Sequence, residues 1–296
     1  MAMAEKTRHE AAMIENPTSR RIRKVFVYVV LSLGAVVMMV PLLWTVSTSL
    51  KTRDKVSIRR LELIPDPVYW QNYIEIFEKQ PVIQYTRNTL VIVAASLFGA
   101  LVPCTLAGYA FARIPFPGRR WLFGILLATM MLPYVVRLIP LFLFFDEIGW
   151  TRTFGPLILP RLLGHNAFYI FLYRQFFRGI PNDIYDSARI DGCSELGVWW
   201  RIFMPMSIPV IAAVSIFAFE FAWNDFLNPL IYLGSNRDLW TLALGLNALR
   251  GFEGADGSLN LVMTFSMLMI IPMLVVFYYG QKYLISGVTA QGSLKG

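Results

Sequence analysis

Between Val25 and Gly280 the chain is built from long runs of Leu, Ile, Val and Phe that hold almost no charge. An aqueous fold needs polar faces on its helices, and these runs have none. A helix that crosses a hydrocarbon core of about 30 Å needs about 20 mainly apolar residues. Windows of that kind fall at 25–46, 88–112, 121–145, 154–173, 206–233 and 261–280. The third carries Arg137, the fourth Arg161 and His165, and the fifth Glu220 and Asp225, while the others carry no charge. Composition agrees, with 56% of the 296 residues hydrophobic and 16% charged, against about 25% charged in soluble domains. The expected fold is all-α and integral to a membrane. Six transmembrane helices would occupy residues 25–280, with tails at 1–24 and 281–296. The first window is longer than the apolar region of a signal peptide, and no small-residue cleavage site follows it, so it is expected to be retained.

Six crossings put both ends on one side. The basic run RRIRK at 20–24 and the short loop RIPFPGRR at 113–120 assign that side to the cytoplasm. The cluster Lys51, Arg53, Lys55, Arg59 and Arg60 pulls the other way, but short loops and the first helix usually dominate. The formal net charge of +8 is therefore read as orientation charge, and no nucleic-acid partner is expected. The cysteines are Cys104 and Cys193 and the histidines His9 and His165, which leaves neither a disulfide framework nor a histidine-based metal centre. No GxxxxGK[ST] sequence is present, so the chain has no phosphate-binding loop with which to hydrolyse ATP. Prolines mark every window, among them Pro41, Pro103, Pro133, Pro209 and Pro272. They point to bent helices, as around a passage or in a kinked bundle.

One interval breaks the apolar pattern. DIYDSARIDGCSELGVWWRIFMP, at 183–205, is polar and lies on the expected cytoplasmic side between the fourth and fifth spans. It reads as two short helices. Pro181 and Asn182 are a start signal, and Asp183 and Asp186 sit in the first turn, where the helix dipole favours anions. Gly192 is a left-handed stop, and Ser194 can cap a second helix ending at Met204-Pro205. Ile184, Ala188, Leu196, Trp199, Trp200 and Phe203 give each piece an apolar side. On these residues alone, an amphipathic loop anchored at the interface by tryptophan fits as well.

The same residues resemble the cytoplasmic signature of the membrane subunits of ATP-binding-cassette importers. That signature is Glu-Ala-Ala, three residues, Gly, nine residues, Ile, one residue, Leu-Pro. Here Asp186-Ser187-Ala188, Gly192, Ile202 and Met204-Pro205 fall at that spacing, with Asp for Glu, Ser for Ala and Met for Leu, and Asp191 precedes the glycine. YAFARIPFPGRR at 109–120, FAWNDFLNPLIYL at 221–233 and the C-terminal ISGVTAQGSLKG are similar to the carbohydrate branch, in particular to the smaller permeases of maltose-type importers. The resemblance covers the chain from about Val25 onward. It implies a permease subunit for di- or oligosaccharides in a bacterial inner membrane, with both termini cytoplasmic. It implies that the segment at 181–205 is a coupling helix loop docked on an ATPase dimer, and that Thr289, Ala290, Gln291 and Gly292 also reach the ATPase. ATP and Mg would be held there, and this chain would carry no cofactor. A second homologous permease, a periplasmic or extracellular sugar-binding protein and membrane lipid are the other implied partners. The loop with Gly251, Phe252, Glu253 and Gly254 would reach into the binding protein.

For the substrate path, intramembrane charges are the first candidates. Glu220 and Arg137 could pair, which the sequence leaves undetermined, and Tyr134, Trp223 and Asn224 add the mix of aromatic faces and amides that sugars bind. Arg137 and Arg161 would suit an acidic sugar. A structural ion pair and an aromatic belt account for the same residues. An ion-coupled secondary transporter is the rival function, but that class shows internal repeats, and none is evident. A membrane enzyme would need clustered Asp, His or Cys, and the carboxylates are scattered.

Overall fold

The computed structural model describes residues 17–56, 63–252 and 259–293, with side chains over 20–56, 63–250 and 259–283. Among the described residues there is no β-strand. Helix α1 is Pro17–Ser49, α2 Asn72–Lys79, α3 Val82–Leu101 and α4 Pro103–Arg113. Helices α5, Arg119–Met131, and α6, Tyr134–Glu147, follow, then α7, Gly155–Leu162, and α8, Ala167–Gly179. Helix α9 is Asn182–Ile190 and α10 is Glu195–Met206, with a π-helical turn at Trp199–Phe203. Helices α11, Ile208–Trp223, α12, Leu227–Leu233, α13, Leu242–Phe252, and α14, Leu259–Ser293, complete the chain.

Three of these elements are long and apolar enough to cross a membrane: α1, α3 with α4, and α14. Two bent pairs raise the number to five, α5 with α6 at 100° and α10 with α11 at 82°. The fourth window is two short helices, α7 and α8, parted at 163–166. Proline explains the breaks. Pro103 and Pro133 lack the N–H that would continue the preceding helix, and Pro209 starts α11 just past the 82° bend at Ser207. Helix α14 does not stop at Gly280 but runs to Ser293, because no proline interrupts QKYLIS. Thr289, Ala290, Gln291 and Gly292 thus continue a helix, and their side chains lie outside the described ones.

The buried apolar residues form two clusters. The distal core gathers Ile76, Tyr85, Ile92, Phe145, Trp223, Leu233 and Phe265. The proximal core gathers Tyr109, Tyr173, Phe177, Ala188, Phe203 and Val214, and so includes the 182–206 segment. Leu97 packs against both. Buried amides hold the distal end together. Asn72 donates to the carbonyls of Ser49, 2.9 Å, and Lys51, 2.8 Å, and accepts from Asn260 at 2.8 Å, which ties α1, α2 and α14. Asn88 donates to the carbonyls of Asp238 and Trp240 at 2.8 and 3.0 Å, fixing the loop before α13 onto α3. Between the cores, α3 meets α7 backbone to backbone. A methyl on Gly99 would stand 1.6 Å from the Arg161 carbonyl oxygen. Helix α1 touches α14 only near its C-terminal end and is otherwise exposed.

Candidate functional site

The polar segment folds as its local signals dictate. Helix α9 starts after Pro181 and ends in a turn where Gly192 N–H donates to the Arg189 carbonyl and Cys193 N–H to that of Ala188. This pair of bonds is a Schellman stop, and Gly192 supplies the left-handed residue it needs, at φ +80°. Nothing lies within 4 Å of where a Cβ on Gly192 would be, so only the backbone conformation selects glycine. Ser194 then caps α10, its Oγ accepting from Gly197 N–H at 3.1 Å. The helix ends one residue beyond the expected Met204-Pro205. It passes through the π-helical turn to Met206 and bends at Ser207, whose hydroxyl donates to the Phe203 carbonyl at 2.6 Å.

Two residues of α4, Tyr109 and Arg113, hold this segment from a distance, and the sequence points to neither. Glu195 accepts from Tyr109 on α4 and Tyr185 on α9, both at 2.7 Å. Burial, then the bond to Glu195, raises the Tyr185 phenol above its ordinary value and keeps it a donor. Arg113, at the end of α4, donates to the Phe177 carbonyl at 2.6 Å and also to the Ile180 carbonyl and the Asn182 amide oxygen. Its guanidinium stacks on Phe203 at 5.1 Å. Ala188 faces inward and is buried, so its small size serves packing within this chain. The outward side presents Asp186, Ser187 and Asp191 with Ile190, 86% exposed, and α10 adds exposed Leu196 and Trp200. Met204 is half-buried and Pro205 exposed.

A second polar cluster lies where three helix discontinuities meet. Arg161 on α7 pairs with Asp225, in the break between α11 and α12, at 2.5 Å, and both side chains are more than 90% buried. Asp225 also accepts from the Asn228 backbone and side chain at 3.0–3.2 Å, and Tyr134, at the start of α6, donates to Asn228. One nitrogen of Arg161, Nη1, is buried without a partner. This corrects the expected pairing: Glu220 and Arg137 are exposed and form no ion pair among the described residues. The pairing that forms joins residues 64 apart, each beside a helix break where backbone polar groups already need partners. Trp223 is corrected too. It is 3% exposed, stacks with Phe219 at 5.3 Å and donates to the Met269 carbonyl, so it is a core residue. Asn224 is exposed beside the cluster. Gly251 and Phe252 end α13 with their side chains outside the described ones, and Glu253 and Gly254 lie outside the described residues. Among the described residues no group of His, Cys, Asp and Glu could hold a metal ion.

Comparison with known proteins places this architecture. The sequence profile of the family "Binding-protein-dependent transport system inner membrane component" matches residues 104–290. The diacetylchitobiose uptake system permease protein NgcG of Streptomyces coelicolor is 29% identical over 90% of this chain and 88% of that protein. The arabinooligosaccharides transport system permease protein AraQ of Bacillus subtilis is 33% identical over 80% of this chain and 82% of that protein. In fold, the chain is similar to a component of a bacterial ABC transporter involved in the import of the acidic polysaccharide alginate. The TM-score is 0.79 at 22% identity, over 91% of this chain and 99% of that one. The profile spans well over half the sequence and includes both the 182–206 segment and the Arg161–Asp225 cluster. The chain therefore belongs to the inner-membrane components of binding-protein-dependent transport systems, the permease subunits of ABC importers, whose ATPase is a separate subunit.

Proposed function

We propose that this permease imports di- or oligosaccharides, forming half of a translocation path beside a second, homologous permease. The observation that carries the coupling role is the 182–206 segment, a short helix, a left-handed glycine and a second helix. It offers Ile190, Leu196 and Trp200 outward and is bonded inward through Arg113, Tyr109 and Glu195. Exposed apolar side chains grouped on a polar loop fit a contact surface, and an ATPase subunit is the partner that this family supplies. ATP and Mg belong to that subunit. A sugar substrate follows from the relatives, since NgcG and AraQ are named for oligosaccharides. The reading takes six crossings, with α7 and α8 together as one broken span, both termini cytoplasmic, and the chain in a bacterial inner membrane.

The Arg161–Asp225–Asn228–Tyr134 cluster is our candidate for the lining of the path. Broken helices that expose polar groups near mid-membrane are how transporters build binding sites. A sugar hydroxyl would supply the acceptor that Arg161 Nη1 lacks. Arg137, exposed near Tyr134, would favour an acidic sugar. The loop at 251–254 is proposed to meet the sugar-binding protein, and residues 289–292 the ATPase pair.

Co-purification tests this reading. With an N-terminal or a C-terminal tag, the wild-type chain should bring an ATPase and a second permease from native membranes. Gly192→Asp should insert at comparable yield but lose the ATPase or its substrate-stimulated hydrolysis. The left-handed backbone would cost the new side chain about 1–2 kcal/mol, too little to unfold the chain but enough to redirect the turn. A wild-type chain that purifies alone under both tags would overturn the proposal.

A further inference from the structure

Beside the 182–206 segment lies a basic patch that no contact described so far uses. Arg119 and Arg120 open α5, and Arg174 and Arg178 stand on the last two turns of α8, which packs against α5. Arg174 is held in place by Phe123, whose ring lies 3.8 Å from its guanidinium carbon, and by a 3.3 Å bond to the Phe111 carbonyl. Arg119 donates to the Ile114 carbonyl at 3.2 Å. No carboxylate pairs with any of the four arginines among the described residues. Arg119 and Arg178 lie close enough to Arg174 for their charges to repel it. The first turn of α5 adds to the excess, because it holds two cations at the positive end of the helix dipole and no acid. Four like charges gathered without a counter-ion are an unfavourable arrangement that an anion would resolve.

The surroundings say which anion. A cleft of about 540 Å³ is formed by residues 115–121 and includes Arg119, Arg120 and Trp121. Trp121 is 82% exposed, and exposed Leu122 and Ile125 continue along α5 away from the charges. The surface is thus double: a basic head next to an aromatic residue of the kind that settles at headgroup depth, then an apolar strip. An amphiphile with a phosphate head and hydrocarbon tails has that same division, whereas a soluble anion or an acidic protein surface would leave the strip unmatched. We propose that this patch binds the headgroup of an anionic phospholipid, with Arg119, Arg120, Arg174 and Arg178 around the phosphate and Trp121, Leu122 and Ile125 along the acyl chains.

The test uses the full chain purified with its co-purifying subunits. Arg174 and Arg119 also bond backbone carbonyls, so the informative variant is Arg120→Gln with Arg178→Gln, both exposed and without hydrogen bonds to lose. Native mass spectrometry after delipidation should find phosphatidylglycerol retained on the wild type and reduced about thirtyfold on the double variant, in keeping with the attraction of each basic residue to an anionic surface. In nanodiscs, phosphatidylglycerol should raise the melting temperature of the wild type over phosphatidylcholine, and that difference should shrink in the variant. Equal retention and an equal lipid difference in the two proteins would overturn the proposal. So would protection of the wild type by glycerol phosphate as good as that by phosphatidylglycerol, since the tails would then play no part. Loss of the ATPase subunit from the variant with lipid retention unchanged would reassign the patch to a protein interface.

Discussion

At the scale of single residues, the pair of Arg161 and Asp225 carries the clearest energetic consequence. Both side chains are more than nine-tenths buried, and Asp225 is completed by Asn228. Removing one charge leaves the other buried and unpaired, which costs about 3–5 kcal/mol, whereas replacing both by apolar groups is often close to neutral. Asp225→Asn should therefore lower the melting temperature of the detergent-solubilised protein, and Arg161→Leu with Asp225→Leu should recover much of the loss. An Asp225→Asn protein as stable as the wild type would mean that water or an ion reaches the pair. The sequence displays both residues as charges inside apolar windows but gives no means of matching them. Glu220 and Arg137 are as plausible on paper, and only the meeting of three helix breaks selects the pair that forms. Trp223 misleads for a related reason. An aromatic residue next to a polar motif resembles a binding residue until its indole N–H is found bonded to the Met269 carbonyl.

At the scale of elements, the 182–206 segment is legible almost completely, because its signals are local. Pro181 opens α9, Gly192 ends it and Ser194 caps α10, all within a few residues of the structure they determine. What fastens the segment is not local. Arg113 lies 69 residues before Asn182, and Tyr109 lies 86 before Glu195. Arg113 satisfies two carbonyls at the end of α8 and the first residue of α9, so it fixes where the segment leaves the bundle. Arg113→Gln should leave α9 formed but poorly anchored. Hydrogen exchange over residues 180–190 should rise against an unchanged α3, and Arg113→Lys should rescue little, since one ammonium cannot spread over three acceptors. Unchanged exchange in Arg113→Gln would show that the Tyr109–Glu195–Tyr185 bonds suffice. The spans follow the same division. The runs of apolar residues locate them, and the prolines mark where they bend. The fourth window divides at 163–166 where Gly164 takes a left-handed conformation and Asn166 caps α8, local signals that a count of apolar residues passes over.

At the scale of the whole molecule, the two cores touch through Leu97 and through the α3–α7 backbone contact. Each is internally dense, with aromatic rings such as Tyr109 and Phe203 5.0 Å apart in the proximal core and Phe145 and Tyr232 5.8 Å apart in the distal one. Paired spin labels would test whether they move as units. In the assembled importer, a label at Ile190 should keep its distance to one at Leu196 when ATP is added, because both stand on the proximal core. Its distance to a label at Ile83, at the start of α3, should change. Two constant distances would mean that the chain moves as one body and that alternation lies between subunits.

The bonds around Glu195 have a mechanical meaning. Glu195 joins α10 to α4 and to α9 by two short bonds, and α10 meets α11 at an angle of 82°. A load on Ile190 is therefore expected to reach Val214 on α11 as through a crank. If the label at Ile83 moves relative to Ile190 as expected, the point that yields lies beyond α10, where the proximal core meets the distal one, and a push at one end of the molecule would be released as rotation near its middle.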